Sequence, residues 1–298
     1  MPVSLHLLIP LASSVGYVAG VLLLKRSAAF GIGVWRTTFL ANILHAVCIA
    51  PAWALGPGHG EGAAWWQPIV AGSLFFIGQV ATFNAIERGD VSVATPVLGS
   101  KILLVALFSA LFLPDPVPLK WWIAAALSVT AIALLNRQPK RAHGTVATTA
   151  MAPTILSALG AALAFACCDV LVQKWAPAWG PGRFVPLMFG SLALASFALI
   201  PVFRAPLREI PQPALPWVLG GATLLGLQAV GINLTIGIFG DATAVNVVYS
   251  SRGLWSVLAV WWIGHWFLND EKKLGSAVLR FRLIGATLML AAIGLVLV

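Results

Sequence analysis

Acidic residues are what this chain has least of: nine Asp and Glu in 298 residues, against 18 Lys and Arg. Charged residues make up only 9%, where a soluble domain carries about 25%. A chain this poor in charge and 60% hydrophobic cannot cover a water-facing surface, which excludes an ordinary soluble domain. Cysteine is scarce too. Cys48, Cys167 and Cys168 all fall inside apolar runs, so there is no disulfide framework and no metal-ligand spacing. The adjacent pair reads as small apolar packing. There is no nucleophile elbow, no phosphate loop and no metal-spaced His or Cys set, and Gly31-x-Gly33 is too short a pattern to be a nucleotide motif. An enzyme is not expected, and neither is a cofactor.

What the chain does have is apolar runs of membrane-spanning length, about 20 residues each. They lie at 5–24, 34–55, 67–86, 91–112, 119–136, 152–173, 184–203, 216–236, 242–267 and 283–298, separated by Gly, Pro and charge clusters. The first run has no basic residue before it and is long enough to span, so it reads as the first helix rather than a signal peptide. Ten of the 13 Trp residues sit near span ends, as amphipathic rings do at a membrane–water interface. The expected partners are a lipid bilayer and a small-molecule substrate. The net charge of +9 reads as loop Lys and Arg that set topology, not as a nucleic-acid surface. Those charges are lopsided. Loops after odd-numbered spans hold twelve Lys and Arg, and loops after even-numbered spans hold only Lys120, Lys174 and Arg183. Counted alone, this puts the odd loops in the cytoplasm and both termini outside.

The chain also repeats itself. Gln79 and Asn84 match Gln228 and Asn233 at a shift of 149, and Lys25 matches Lys174 at the same shift. Gly31-Ile32-Gly33 falls on Gly180-Pro181-Gly182. After two inserted residues, Gly89-Asp90-Val91-Ser92 matches Gly240-Asp241-Ala242-Thr243, and Ser100-Lys101 matches Ser251-Arg252, at a shift of 151. Apolar helices align by chance, but polar residues and glycines in order across three segments do not. The expected fold is all-α membrane: ten transmembrane helices as a first five-helix repeat over 1–136, a linker over 137–151 and a second repeat over 152–298. Five is odd, so the second copy enters from the opposite side. Inverted repeats of this kind place a substrate site near the bilayer midplane.

Lys101 lies ten residues into the fourth span, or about 15 Å deep. Arg252 holds the same place in the ninth. A cation there costs about 3 kcal/mol by insertion scales unless it meets a partner or a wet cavity. Two of them brought together repel, and an anion between them would resolve that. The alternative is that each pairs with an acid or with helix carbonyls and joins helices. Asp169 in the sixth span is the obvious intramembrane acid: it can neutralise one of these two cations but not both, and it is either a proton-coupling residue or a plain salt-bridge partner of Arg252 or Lys174. Tyr249 and Trp255 sit three residues either side of Arg252 and can form an aromatic wall or ordinary packing. Gln79, Gln228, Asn84 and Asn233 can touch substrate or hydrogen-bond between helices, the Asn pair favouring the second. Pro96 should kink the fourth span and free a carbonyl. Its counterpart is Val247, so that break is expected in one half only. His45 reads as a helix-interface residue.

The stretch Gly89-Asp90-Val91-Ser92-Val93-Ala94-Thr95-Pro96 opens a fourth span. With the five-plus-five plan, a length near 300 and a basic residue, Lys25 or Lys174, closing each repeat's first span, the chain resembles the drug/metabolite transporter superfamily in its ten-helix, EamA-type exporter branch. The resemblance implies secondary transport by alternating access, often efflux of metabolites or amino acids, in a cell membrane such as a bacterial inner membrane, as a monomer or homodimer. Members that carry organic phosphates use cations on the fourth and ninth helices, where Lys101 and Arg252 fall. The chain departs from the family pattern after the fourth span, where Pro114-Asp115-Pro116 replaces a frequent glutamate. The family mostly keeps both termini in the cytoplasm, opposite to the loop-charge count. A passive channel and a non-catalytic membrane scaffold are the rival readings.

Overall fold

The computed structural model describes residues 5–88, 91–136, 151–263 and 276–297. These residues form helices joined by short turns, with no strand among them. The helices are α1 Leu8–Ala28, α2 Val34–Ile49, α3 Trp66–Arg88, α4 Val91–Gly99, α5 Lys101–Phe112, α6 Leu119–Leu135, α7 Met151–Trp179, α8 Pro181–Ser196, α9 Leu215–Phe239, α10 Ala242–Tyr249, α11 Arg252–Ile263 and α12 Ser276–Leu297.

Among the described residues, eight helical stretches are long and apolar enough to cross a membrane. The difference from the ten expected spans has local causes. The expected fifth span is α6, which at 17 residues is short for a crossing. The expected ninth is divided into α10 and α11, and its last residues, 264–267, lie outside the described residues, as do Gly89, Asp90, Lys272, Lys273 and most of the 137–151 linker. The expected sixth span runs on to Trp179, because Pro177 is tolerated within the helix, and α8 begins at Pro181. Lys174 and Arg183 are therefore helical residues, not loop residues, and only Gly180 separates the two helices.

Gly180 has φ 77° and ψ 138°, almost the conformation of Gly33 at φ 79° and ψ 147°. Each is the residue before its half's second helix, and the positive φ suits glycine. The conformational partner of Gly180 is thus Gly33, two residues from the sequence match with Gly31.

The helices group into two compact units that do not follow the two halves of the chain. The first contains Met1–Leu7, Ile77–Val170 and Ala242–Val298, and the second Leu8–Phe76 and Leu171–Asp241. Each draws on both halves. In the first unit α6 packs along α12, and α10 packs against α5, α6 and α12. The buried face of α6 is Ala124, Ala125, Ser128, Ala131, Ile132 and Leu135, spaced as one helical stripe. Small residues let helix backbones approach where lipid removes the hydrophobic drive to associate. Gly285 of α12 shows this: a Cβ there would lie 3.0 Å from the Ala131 carbonyl.

In the second unit α1 runs along α9, and α2 packs on α8 and α9. Along α1 and α9 two glycines bring the backbones together. A Cβ on Gly20 would sit 3.0 Å from the Gly221 carbonyl, and one on Gly221 would sit 2.9 Å from that of Gly20. His45 of α2 is buried against the rings of Phe75 and Phe189 and bonded through Nδ1 to the Ala41 carbonyl. That makes it an interface residue, as expected. Arg36 is also buried there, its guanidinium donating to the carbonyls of Ile32, Gly31 and Pro206.

Candidate functional site

The fourth span is interrupted at Ser100. Its N–H donates to the Val97 carbonyl, three residues back, at 3.1 Å, and its hydroxyl donates to the same oxygen at 2.6 Å. The helix resumes at Lys101, with the Leu104 N–H on the Ser100 carbonyl at 3.1 Å. The ninth span does the same 151 residues later. The Ser251 N–H donates to Val248 at 3.1 Å, Trp255 N–H donates to the Ser251 carbonyl at 3.0 Å, and the Ser250 hydroxyl turns back on Val247 at 2.6 Å. Serines that bond their own helix's carbonyls in this way loosen the regular ladder. A tight turn in mid-helix is a recurrent mark of a functional hinge.

This corrects the expectation placed on Pro96. The proline sits inside α4, four residues before the interruption, and the ninth span breaks equivalently with Val247 in its place. The serines and their register, not the proline ring, are common to both breaks.

Each break delivers a cation as the first residue of the next helix, Lys101 on α5 and Arg252 on α11. A helix's first turn opposes positive charge, so each needs compensation. Lys101 has it from Asp169: Nζ lies 2.7 Å from Oδ2, with side-chain exposures of 17% and 4%. The same Oδ2 accepts a hydrogen bond from Nδ2 of Asn246 on α10 at 2.7 Å. Asn246 also donates to the Ala242 carbonyl at 2.9 Å, which fixes its amide. Phe165, one turn before Asp169 on α7, places its ring centroid 5.6 Å from the Lys101 ammonium. Gly78 of α3 makes room for that ring: a Cβ there would meet it at 2.9 Å.

Arg252 is held differently. Its guanidinium carbon lies 4.6 Å from the centroid of the buried Tyr249 ring. Trp255, one turn further along, has a buried indole N–H with no hydrogen-bond partner. The sequence expectation that Tyr249 flanks Arg252 therefore holds. The expectation that Asp169 pairs with Arg252 or Lys174 does not, because its ion pair is with Lys101. The reason is helix placement. α7 runs on past the expected end of its span, so Asp169 lies well inside the helix, and α10 and α5 pack together to bring Asn246 and Lys101 to it.

The amide residues divide between units. Gln79 and Asn84, both half-buried on α3, belong to the first unit, with Lys101, Asp169 and Arg252. Gln228 and Asn233 belong to the second. There Gln228 donates to the Leu225 carbonyl and Asn233 to the Ala229 carbonyl, both on their own helix. The expected use of Asn233 as a bond between helices is replaced by a bond within α9. Asn246 and Phe165 were not anticipated. Asn246 could have been: at the shift of 151 it falls on Thr95, a polar residue at the same depth in both halves. Phe165 carries no comparable signal.

Chemically, the ammonium of Lys101 has three donors, is partly exposed and already faces a carboxylate. It is a place where one negative group can exchange for another. Comparison with known proteins bears on what kind of molecule uses it. Residues 2–137 match the model of the EamA-like transporter family. That stretch, the first half of the chain, is similar to this family of the drug/metabolite transporter superfamily. No curated protein matches the chain in sequence at a significant level. Among solved structures, one described as "Crystal structure of protein" is similar in fold, at a TM-score of 0.67 and 17% identity, over 95% of this chain and 96% of that one. At that identity the likeness speaks for the fold alone, and it extends over both halves of the chain. The chain is a multi-pass membrane protein, and the family that residues 2–137 match is one of transporters.

Proposed function

We propose that the chain is a secondary active transporter, an exporter or exchanger, of a small organic metabolite bearing a carboxylate or phosphate. The observation that carries this reading is a pair of cations, Lys101 and Arg252, each starting a helix at equivalent breaks of two spans, with one of them facing the buried carboxylate Asp169. Lys101 takes the anionic group. Arg252, Tyr249 and Trp255 form an aromatic and cationic wall for the rest of the solute. Gln79, Asn84, Gln228 and Asn233 supply amide contacts as the carrier moves, and Asp169 serves as counter-charge. The two halves, 1–136 and 152–298, act as inverted five-helix repeats joined by the 137–151 linker, and alternating access follows from their exchange about a midplane site. The breaks at Ser100 and Ser250–Ser251 support this, since interrupted spans line such sites in carriers. The protein works in a cell membrane, as a monomer or homodimer.

The reading is tested by Lys101→Gln and Arg252→Gln, assayed for transport of carboxylated and phosphorylated metabolites in cells expressing the protein. Loss of transport at normal expression is expected for both. Retained transport in either variant defeats the anion-site role of that cation.

A further inference from the structure

We infer that Asp169 is a proton-accepting counterion that ties anion binding at Lys101 to the uptake of one proton. This rests on the proposed anion site at Lys101 and adds the coupling ion to it. Oδ2 of Asp169 receives two donors at 2.7 Å, the Lys101 ammonium and the Asn246 amide. Only the first carries charge. The ammonium is the more accessible member of the pair, at 17% side-chain exposure against 4%, so an incoming anion meets Lys101 and not Asp169. Two negative groups cannot share one buried positive charge, because in a poorly polarisable interior the second is left uncompensated. Once the anion holds Lys101, Asp169 keeps only a neutral amide.

Charge balance then dictates the step. Before binding, the Lys101–Asp169 pair holds one ammonium and one carboxylate, and the charge of Arg252, over the Tyr249 ring, stays the same through the cycle. Afterwards the site of that pair holds one ammonium, one bound anion and one protonated carboxyl. The O–H bond forms on Asp169 with a proton from the aqueous side that supplied the anion. On release the proton leaves and the ion pair re-forms. A monovalent anion would thus cross with one proton and no net charge. Asn246 suits this cycle because an amide N–H donates equally to a carboxylate oxygen and to the carbonyl oxygen of a carboxyl, so the side chain keeps its place in both states. Among the described residues, Lys101 of α5 is the cation paired with Asp169, and the thiol of Cys168 lies beside it on its own helix. Packed α10 presents the neutral Asn246. A neutral thiol cannot replace the ammonium.

The experiment is calorimetric binding of pyruvate, L-glutamate and sulfate to the full-length protein in detergent, from mildly acidic to mildly alkaline pH. The negative groups of all three stay ionised over that range, so any proton taken up belongs to the protein. In the wild type, Kd for a bound anion should weaken about tenfold per pH unit on the alkaline side. One proton should be taken up per anion, read from binding heats in buffers of different ionisation enthalpy. In Asp169→Asn, which leaves Lys101 without its carboxylate, affinity at alkaline pH should exceed that of the wild type and the pH dependence should vanish. Should that variant fail to fold, the wild-type slope decides alone. A pH-independent wild-type Kd without proton uptake overturns the coupling and leaves the anion site standing. Binding that persists unchanged in Lys101→Gln, or no binding of any of the three anions, overturns the anion site and the coupling with it.

Discussion

The break in the fourth span and the break in the ninth use the same backbone device and set different neighbours beside their cations. Both tighten to a three-residue hydrogen bond, at Ser100 and at Ser251, and both resume on a cation. Lys101 then meets a carboxylate at 2.7 Å, while Arg252 lies over the ring of Tyr249. A lysine ammonium is compact and strongly hydrated, so burying it calls for a full counter-charge. A guanidinium is more weakly hydrated and stacks on aromatic faces. The two positions thus share a register while differing in what holds them. One half sets a carboxylate beside its cation, and the other an aromatic ring. That asymmetry within a duplicated plan is where the selectivity of the proposed carrier is expected to reside.

Four substitutions test the comparison. The largest effect is expected for Lys101→Met, which leaves Asp169 buried with only Asn246. Breaking a buried pair by removing one partner costs about 3–5 kcal/mol, and chemical unfolding in detergent should show a loss near that range. Adding Asp169→Leu to it should recover most of the stability, and no recovery would mean that the two charges do not act as a pair. Next, Asn246→Leu removes a hydrogen bond to a charged group, worth about 1.5–3 kcal/mol. The same unfolding measurement should place it below Lys101→Met. Third, Tyr249→Leu should cost about 0.5–2 kcal/mol from the lost cation–π contact, while Tyr249→Phe keeps the ring and should lose less than Tyr249→Leu. A loss as large as that of Lys101→Met would erase the distinction between the two breaks. The smallest effect is expected for Pro96→Ala. Because the ninth span breaks without a proline, transport should persist and stability should move by no more than about 1 kcal/mol. Abolished transport would restore Pro96 to the place the sequence first suggested for it.

Parts of this site were legible in the chain and parts were not. The cations at 101 and 252 stood out because a charge amid twenty apolar residues is costly wherever the helix packs. Tyr249 stood out because residues three apart share a helix face. Pro96 misled for the same local reason. A proline is the visible breaker, but serine hydroxyls that bond back to the backbone loosen a helix with no such signature. Asn246 was overlooked because a lone amide in an apolar run has several uses, and only its neighbour across space reveals which. The amide matches Gln79 with Gln228 and Asn84 with Asn233 were in register along the chain, yet the members of each pair fall in different units.

By itself, then, the sequence determined the solvent, the approximate spans and the recurrence of polar residues and a cation at a near-constant spacing. All of these are properties of consecutive residues, set by hydropathy and by a rise of about 1.5 Å per residue. Only the tertiary structure decided that Asp169 belongs to Lys101 and Asn246 and that Arg252 belongs to Tyr249. The bond from Asn246 to Asp169 closes over 77 residues, and no local pattern encodes which of several distant helices will pack beside a buried charge. That choice follows from the packing of α5 with α10, which brings Lys101 and Asn246 to Asp169 of α7, and from the free energy of leaving a carboxylate in lipid without its cation.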